Sequence, residues 1–374
     1  MRYVRPSTTR GYTLVELMVV IAVALMITVI AIPVLAPALR GRQIREASRE
    51  LTGYLAAART RALQLGRPVG VWIERFGNTN NPLSGSTSGT PIPPKFYEMS
   101  VTLFMAETPP PYAGDTLNAR MVVVGGAGIN GGRITQMSNS VLATSKNSRL
   151  IRPGDLVKLG QQGRFYIIQR LDNSTGKDDN GNPLTIGPLP WRITPVNQLV
   201  NSVVPSTPAE GVSFQIFRQP TKSLSRVLQL PGNAVIDLQF SGLQSSTTQT
   251  SSTFDAISST SGSSSNNILK QGPVIITFQP DGSLGALYNG GAPVRLAEPV
   301  YLLVGKREKV GGDPAPDDPE VVFNFQDPEN VWVAIGSQSG LITSTEMAAV
   351  APDSQTPIQD SRLFARQAQN QGGR

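Results

Sequence analysis

The sequence predicts an α+β protein: a long N-terminal helix, with a transmembrane first half, packs on a mainly antiparallel β-sheet or sandwich domain that carries a β-rich insertion. Apolar residues recur at helical spacing through the first 65 positions, whereas later segments are short and alternate between apolar and polar residues. The 36 glycines and 30 prolines among 374 residues indicate many turns between extended segments. Together these observations favour a β-rich body behind one helix over a helical bundle.

Two absences from the composition exclude large classes of function. The chain has no histidine and no cysteine. Ser-His-Asp and Cys-His catalysis, imidazole or thiolate metal sites and disulfides are therefore ruled out. We expect a protein that is not an enzyme, with no catalytic, metal-binding or cofactor-binding residues and no cofactor.

A continuous apolar run near the N terminus predicts a membrane-spanning helix. The run from Leu17 to Leu39 contains 23 residues without a charge. At about 1.5 Å per residue it measures about 34 Å, enough to cross a hydrocarbon core of about 30 Å. A secretory signal usually has a shorter apolar core, of about 7 to 15 residues. Cleavage before Leu39 by a signal peptidase remains an alternative, because Ala36-Pro37-Ala38 has the small-x-small form of such a site.

The start of this run has an unusual combination of residues. A basic leader containing Arg2, Arg5 and Arg10 ends at Gly11, and Glu16 follows five positions later. A carboxylate costs about 2.5 to 3.5 kcal/mol at the centre of a bilayer, so it is expected to have a partner. Cleavage after Gly11 would create such a partner, the α-amino group of Tyr12. In an assembly of parallel helices this amine can pair with Glu16 of a neighbouring helix.

These residues resemble the N terminus of type IV prepilins, which pilins share with the pseudopilins of type II secretion. The chain matches the family pattern at Gly11 and from Thr13 to Leu17, and it has Tyr12 where phenylalanine is usual. Pro33 stands where the family often has a proline that loosens the helix. The resemblance implies a leader at 1–11, cleavage after Gly11, methylation of Tyr12, an assembly role for Glu16 and a helix kink at Pro33. It also implies that 12–39 is the transmembrane half of the helix.

The remainder of the chain divides into a body, an insert and two polar segments. An apolar stripe from Ile44 to Leu65 extends the helix, and Gly66 and Pro68 end it. Residues 40–76 and 212–346 are predicted to form the helix and β domain, and 96–205 an inserted β subdomain. The segment 241–267 has 16 Ser or Thr in 27 residues and is predicted to be a flexible loop. The tail 348–374 is predicted to be mobile, with a short helix around 361–367.

Strand candidates at the C-terminal side give a narrower resemblance. The segments 230–235, 275–282 and 331–342 are similar in order to those of pseudopilin H and the fimbrial T minor pilins. This resemblance implies a minor pilin or pseudopilin of a type II secretion pseudopilus or a type IV pilus-like fibre. Its partners would be a prepilin peptidase/methyltransferase, other pilins or pseudopilins, an inner-membrane assembly platform and the lipid bilayer. The chain would sit in the cytoplasmic membrane with its C-terminal domain outside the cytoplasm.

Two other functions stay open at this point. The net charge of +7, with arginines concentrated in the N-terminal quarter, is compatible with a minor pilin that binds DNA during uptake. A membrane-anchored or secreted extracytoplasmic β protein is the second alternative. Two motif-like segments are interpreted as loops. Gly126–Gly131 satisfies G-x-G-x-x-G without a convincing helix after it, and Asp178–Asn182 has the composition, but not the register, of a calcium loop.

Overall fold

The computed structural model describes most of the chain. The described ranges are 13–77, 97–127, 131–143, 150–160, 164–170, 191–196, 203–244, 252–254, 272–289, 293–311, 322–351 and 354–372. Helix α1 spans Leu14–Leu65. It ends at Gly66, whose φ of 60° lies in the left-handed region that favours glycine and whose N–H donates to the Ala62 carbonyl.

Within the described ranges, strands numbered in chain order form three larger sheets and one two-stranded pair, and every pairing is antiparallel. Sheet A has the order β12 (Thr221–Gln229), β3 (Thr102–Glu107), β1 (Val69–Glu74), β14 (Val274–Phe278), β15 (Leu284–Asn289) and β16 (Val294–Arg295). Sheet B has the order β19 (Ile342–Glu346), β18 (Val331–Ile335), β17 (Val300–Lys306), β13 (Ala234–Leu243) and β2 (Met99–Ser100). Sheet C has the order β11 (Phe214–Phe217), β7 (Leu156–Leu159), β8 (Phe165–Arg170), β9 (Trp191–Pro195), β6 (Gly132–Ser138) and β4 (Arg120–Val124). The pair joins β10 (Val203–Val204) to β5 (Gly126–Ala127). The predicted α+β class with mainly antiparallel sheets is confirmed.

The second half of α1 packs against both sheet A and sheet B. Its buried stripe shares one apolar core with inward residues of both sheets; the stripe consists of Ile44, Ala47, Leu51, Tyr54, Leu55, Ala58 and Ala62. Val71 of β1 and Leu302 of β17 are fully buried in this core. Because apolar residues at helical spacing can bury only one face, the stripe predicted from the sequence is the face that meets the sheets.

Arg59 of α1 connects the hairpin turns of the two sheets. Its Nε donates to the carbonyl of Gly282, in the turn between β14 and β15, at 3.1 Å. Gly340, in the turn between β18 and β19, has a φ of 59°, and a Cβ there would lie 1.9 Å from the Gly282 carbonyl oxygen. Only glycine at position 340 lets the two hairpin turns come this close. The turns of sheets A and B therefore meet next to Arg59 of α1.

The C-terminal tail differs from the prediction that it is mobile. Helix α2 spans Pro357–Ser361 and helix α3 spans Leu363–Gly372, and they cover the second face of sheet B. Arg362 is buried between the rings of Tyr301 and Trp332, and its Nη1 donates to the Leu243 carbonyl at 3.0 Å. Burial lowers the pKa of Arg362 to about 9, which still leaves it charged at neutral pH. The polar composition suggested a solvated tail, but these contacts are long-range and have no local sequence pattern.

The inserted subdomain is displaced from the boundaries 96–205. Strand β3 lies inside sheet A, whereas β11 belongs to sheet C. The chain enters and leaves the insert side by side, because Tyr112 and Ile216 exchange backbone hydrogen bonds of 2.9 and 2.8 Å. The insert therefore runs from about 112 to 217 and has its own apolar core. Alternation within each strand predicted the strands themselves but not the sheet that each one joins.

The segment 241–267, predicted to be a flexible loop, contributes to the core where it is described. Residues 241–243 complete β13, and Phe254 is fully buried among residues of sheets A and B. The other residues from 245 to 251 and from 255 to 267 lie outside the described ranges. The prediction rested on the Ser/Thr-rich composition of all 27 residues, which gives no weight to the single buried aromatic residue, Phe254.

A buried ion cluster ties β17 to the loop before β18. Lys306 Nζ lies 2.9 Å from Asp327 Oδ2 and 2.7 Å from Glu329 Oε2, and Lys309 Nζ lies 2.9 Å from Asp327 Oδ2. Burial acts to raise the pKa of Asp327, but hydrogen bonds from Lys309 and Lys306 outweigh it and hold the pKa below its usual value. Burial acts to lower the pKa of Lys306, but Glu329 and Asp327 raise it above its usual value.

These shifts predict a pH window for stability. Because the folded pKa of Asp327 lies below the unfolded value of 3.8, its contribution is present above pH 3.8 and is lost as the pH falls through the folded pKa. Lys306 contributes below pH 10.5, and this contribution is lost as the pH rises through its folded pKa. We expect Asp327→Asn to flatten the acid side of the stability curve, measured by urea unfolding between pH 2 and 7. The exposed Glu50→Gln serves as the control, and an unchanged acid slope for Asp327→Asn would contradict the assignment.

Candidate functional site

The N-terminal turn of α1 is held by a reciprocal capping box. Thr13 Oγ1 accepts a hydrogen bond from the Glu16 N–H at 3.2 Å. Glu16 Oε2 accepts from both the Thr13 N–H and the Thr13 hydroxyl at 3.2 Å. The S/T-x-x-E pattern is a known helix-start signal, so this role could have been predicted from the sequence. The cap fixes the first helical residue at Leu14 and holds the Glu16 carboxylate at the helix N-terminus.

The apolar side chains that follow the cap are uncovered by the rest of the chain. Every residue from 13 to 28 is exposed, including Leu14 at 72%, Met26 at 70% and Ile27 at 62%. Such a continuous apolar surface is unusual on a monomer and is typical of a segment that contacts another protein or lipid. The burial described for α1 begins at Gly41, where the helix meets the loop containing Glu329.

Among the described residues, none of the helices has both the length and the apolar character required to cross a bilayer. The side chains of 29–40, which complete the apolar run, are not among those described.

The predicted site residues are only partly within the described structure. Glu16 is described and lies in the first turn of α1, whereas Gly11 and Tyr12 lie outside the described residues. Pro33 lies within the helical range of α1. Cleavage at Gly11, methylation of Tyr12 and a kink at Pro33 therefore stay predictions.

A basic face follows the apolar segment. Arg42, Arg45 and Arg49 are exposed on α1, on the side away from the buried stripe. Arg61 also points outward, and its Nη2 pairs with Glu107 Oε1 at 2.7 Å. The order along the helix is thus an apolar segment, a basic segment and then the β-rich body. This order is typical of a helix that leaves an apolar phase and meets an anionic surface.

The described part of the chain contains no group of three or more side chains suited to a metal ion. Gly126–Ala127 and the following β6 are strands, so the glycine-rich segment is not followed by the helix that a dinucleotide site requires. Asp178–Asn182 lies outside the described residues. A cleft between the insert and sheet A could not be predicted from the sequence, because its walls come from distant segments.

Comparison with known proteins gives one family match, and it lies at the N terminus. Residues 6–32 match the family described as the prokaryotic N-terminal methylation motif. This motif indicates a type IV pilin-like protein and a substrate of prepilin peptidase. The comparison with curated proteins and the comparison with solved structures returned no match. The motif covers the capped helix start and the exposed apolar segment, and the β-rich body lies outside it.

Proposed function

We propose that the chain is a minor pilin or pseudopilin, a non-enzymatic subunit of a type II secretion pseudopilus or a type IV pilus-like fibre. Prepilin peptidase removes residues 1–11, the new N terminus at Tyr12 is methylated, and α1 then enters a helical assembly with other subunits. Before assembly the first half of α1 is held in the cytoplasmic membrane, with the β-rich body outside the cytoplasm. An inner-membrane platform would transfer the subunit from lipid to fibre.

One observation carries this proposal: the matched motif coincides with an apolar helical segment that nothing in the described chain covers. Fourteen residues of exposed helix between 14 and 27 would be costly in water. Packing in lipid and then between neighbouring helices removes this surface from water in both states. Head-to-tail packing of this kind produces an open fibre when the rotation between subunits does not close.

The N terminus of the protein isolated from its native membrane tests the proposal. We expect mass spectrometry to find a chain that begins with methylated Tyr12. A chain that begins at Leu39 would support secretion through a signal peptidase, and one that begins at Met1 would support a plain membrane anchor. Either of the last two results would overturn the proposal.

Glu16 is predicted to be required for assembly but not for cleavage. The carboxylate can pair with the α-amino group of a neighbouring subunit, so both Glu16→Gln and Glu16→Val should be processed normally and be depleted at least tenfold from sheared fibres. Glutamine retains the capacity to accept the Thr13 hydrogen bond, which separates loss of charge from loss of the cap. Glu46→Gln, on the exposed surface of the same helix, is the matched control. Normal incorporation of Glu16→Gln would show that capping, and not charge, is the role of this residue.

The exposed arginines of α1 support one second candidate, a minor pilin that binds DNA during uptake. Phosphate contacts release counterions, so affinity for DNA would fall steeply as salt rises. The test is a filter-binding titration of the full chain in detergent with duplex DNA at 50 and 200 mM salt. Weakened retention by the triple variant Arg42→Gln/Arg45→Gln/Arg49→Gln would favour this candidate, and no retention at 50 mM salt would end it.

A further inference from the structure

A large cleft lies between the insert and the part of sheet A formed by the β14–β15 turn, the start of β15 and β16. Its volume is about 1470 Å³, and its walls include Phe165 of β8, the β14–β15 turn at Asp281 and Arg295 of β16. Asp155, just before β7, is bonded to the connection between the insert and β12, because its Oδ1 accepts from the Gln219 N–H at 2.8 Å. Burial together with the nearby Asp155 carboxylate raises the pKa of Tyr288 on β15 to about 12. Pockets for small molecules are usually about 300 to 1,000 Å³, so this cleft has room for part of a polymer.

The charges that line the cleft favour an anionic ligand. Arg164 and Arg295 line opposite walls, and neither guanidinium has a hydrogen bond or an ion pair with the described residues. The Asp281 carboxylate also lines the cleft, and hydrogen bonds to its Oδ1 from the Ser283 hydroxyl at 2.6 Å and the Ser283 N–H at 2.9 Å hold its pKa below the usual value, so it is ionised at neutral pH. Arg164 and Arg295 thus give the lining two cations against one anion, and a guanidinium can bind a carboxylate through two parallel hydrogen bonds.

The apolar part of the lining indicates what else the ligand carries. Phe165 is 41% exposed, Val196 42% and Val203 55%. The Phe165 ring packs edge-on against Phe217 at 5.3 Å between centroids, which fixes its orientation. The lining combines this aliphatic and aromatic surface with the polar side chains of Gln279 and Ser283 and the charges of Arg164, Arg295 and Asp281. A mixed surface of this kind suits a polypeptide.

An extended peptide also fits the sheet edge at this place. Strand β16 is at the end of sheet A and pairs with β15 alone among the described strands. A bound strand can add to such an edge through its main chain. Its side chains would alternate between two directions, so carboxylates could meet the arginines while aliphatic groups meet Phe165 and its neighbours.

We infer that this cleft binds an extended segment of another protein that carries both carboxylate and aliphatic side chains. The inference rests on the insert and sheet A and does not depend on the N-terminal motif. It assigns the insert a recognition role that is separate from assembly through α1.

Fluorescence anisotropy of the full chain in detergent micelles tests this inference. The probe is a fluorescein-labelled octapeptide of alternating Glu and Leu, compared with peptides of alternating Lys and Leu and of alternating Glu and Ser. We expect binding of the Glu-Leu peptide alone, weakened by salt. Arg164→Ala and Arg295→Ala should each weaken it by about tenfold, because each removes a charge-assisted contact. Arg49→Ala, an exposed arginine on α1, is the matched control in the same micelles.

Three outcomes with the peptide probes would overturn the inference. They are absence of binding by the Glu-Leu peptide, equal binding by the Lys-Leu peptide, and unchanged affinity in the Arg164→Ala/Arg295→Ala double variant. Binding of oligogalacturonate in place of the peptide would assign the cleft to acidic glycans and would also overturn it. Thermal unfolding of the double variant controls for folding, and we expect it to match the wild type because both arginines are without partners in the described structure.

Discussion

Substitution of Gly11 by valine is expected to leave the leader attached to the chain and to abolish entry into the fibre. The motif at 6–32 indicates cleavage by prepilin peptidase, and the resemblance to prepilins puts Gly11 immediately before the cleaved bond. A β-branched side chain at this position would crowd the peptidase site and stiffen the backbone that must enter it. Without cleavage no α-amino group forms at Tyr12, so Glu16 of a neighbouring subunit would have no cation to pair with.

The measurement is the intact mass of the membrane-bound protein, with and without co-expressed prepilin peptidase. Gly53→Val is the matched control, because Gly53 lies in the exposed part of α1 and a Cβ there meets nothing within 4 Å. The control should lose residues 1–11 in the presence of the peptidase, and Gly11→Val should retain them. A Gly11→Val chain that is shortened to Tyr12 would contradict the proposed processing site.

Substitution of Arg75 by methionine is expected to cost about 3 to 5 kcal/mol of stability. Arg75 follows β1 and its side chain is completely buried. Its Nε donates to the Gly272 carbonyl at 2.9 Å, its Nη1 to the Tyr97 carbonyl at 2.8 Å and its Nη2 to the Phe254 carbonyl at 2.6 Å. Nη2 also donates to Asn289 Oδ1 at 3.1 Å. Methionine would fill much of the volume but leave these buried acceptors without a donor.

Urea unfolding of the full chain in detergent, followed by tryptophan fluorescence, measures this loss. Arg61→Met is the control, since Arg61 is about half exposed and its ion pair with Glu107 lies at the surface. Surface ion pairs contribute about 0 to 1 kcal/mol, so the control should unfold near the wild-type midpoint. A loss below 1 kcal/mol for Arg75→Met would mean that the segments around Gly272, Tyr97 and Phe254 do not depend on this side chain.

Local patterns predicted most of the elements of the body. The stripe from Ile44 to Leu65 is the buried face of α1, and the alternation in 69–74 corresponds to β1. Alternation of apolar and polar residues does not by itself predict the short strands β5, β9, β10 and β16 or the longer β6. Turn-rich sequence surrounds them, and Gly132–Ser138 mixes polar residues into both faces. These strands depend on pairing with neighbours more than on their own composition.

The sequence by itself determined which features of the N terminus point to a function. A glycine, a carboxylate five positions later and a long apolar run are adjacent in the chain, so their meaning does not depend on the fold. The capping pair of Thr13 and Glu16 is equally local.

Only the tertiary structure decided the role of groups that come together from distant positions. Nothing in the sequence distinguishes Arg75 and Arg362 from surface arginines. Both are buried in the structure, where carbonyl groups of distant segments accept their hydrogen bonds. The cleft between Arg164 and Arg295 exists because β3 and β11 belong to different sheets and the insert folds back over sheet A. Local spacing determines which face of an element is apolar, but burial and convergence of charge depend on which elements pack together.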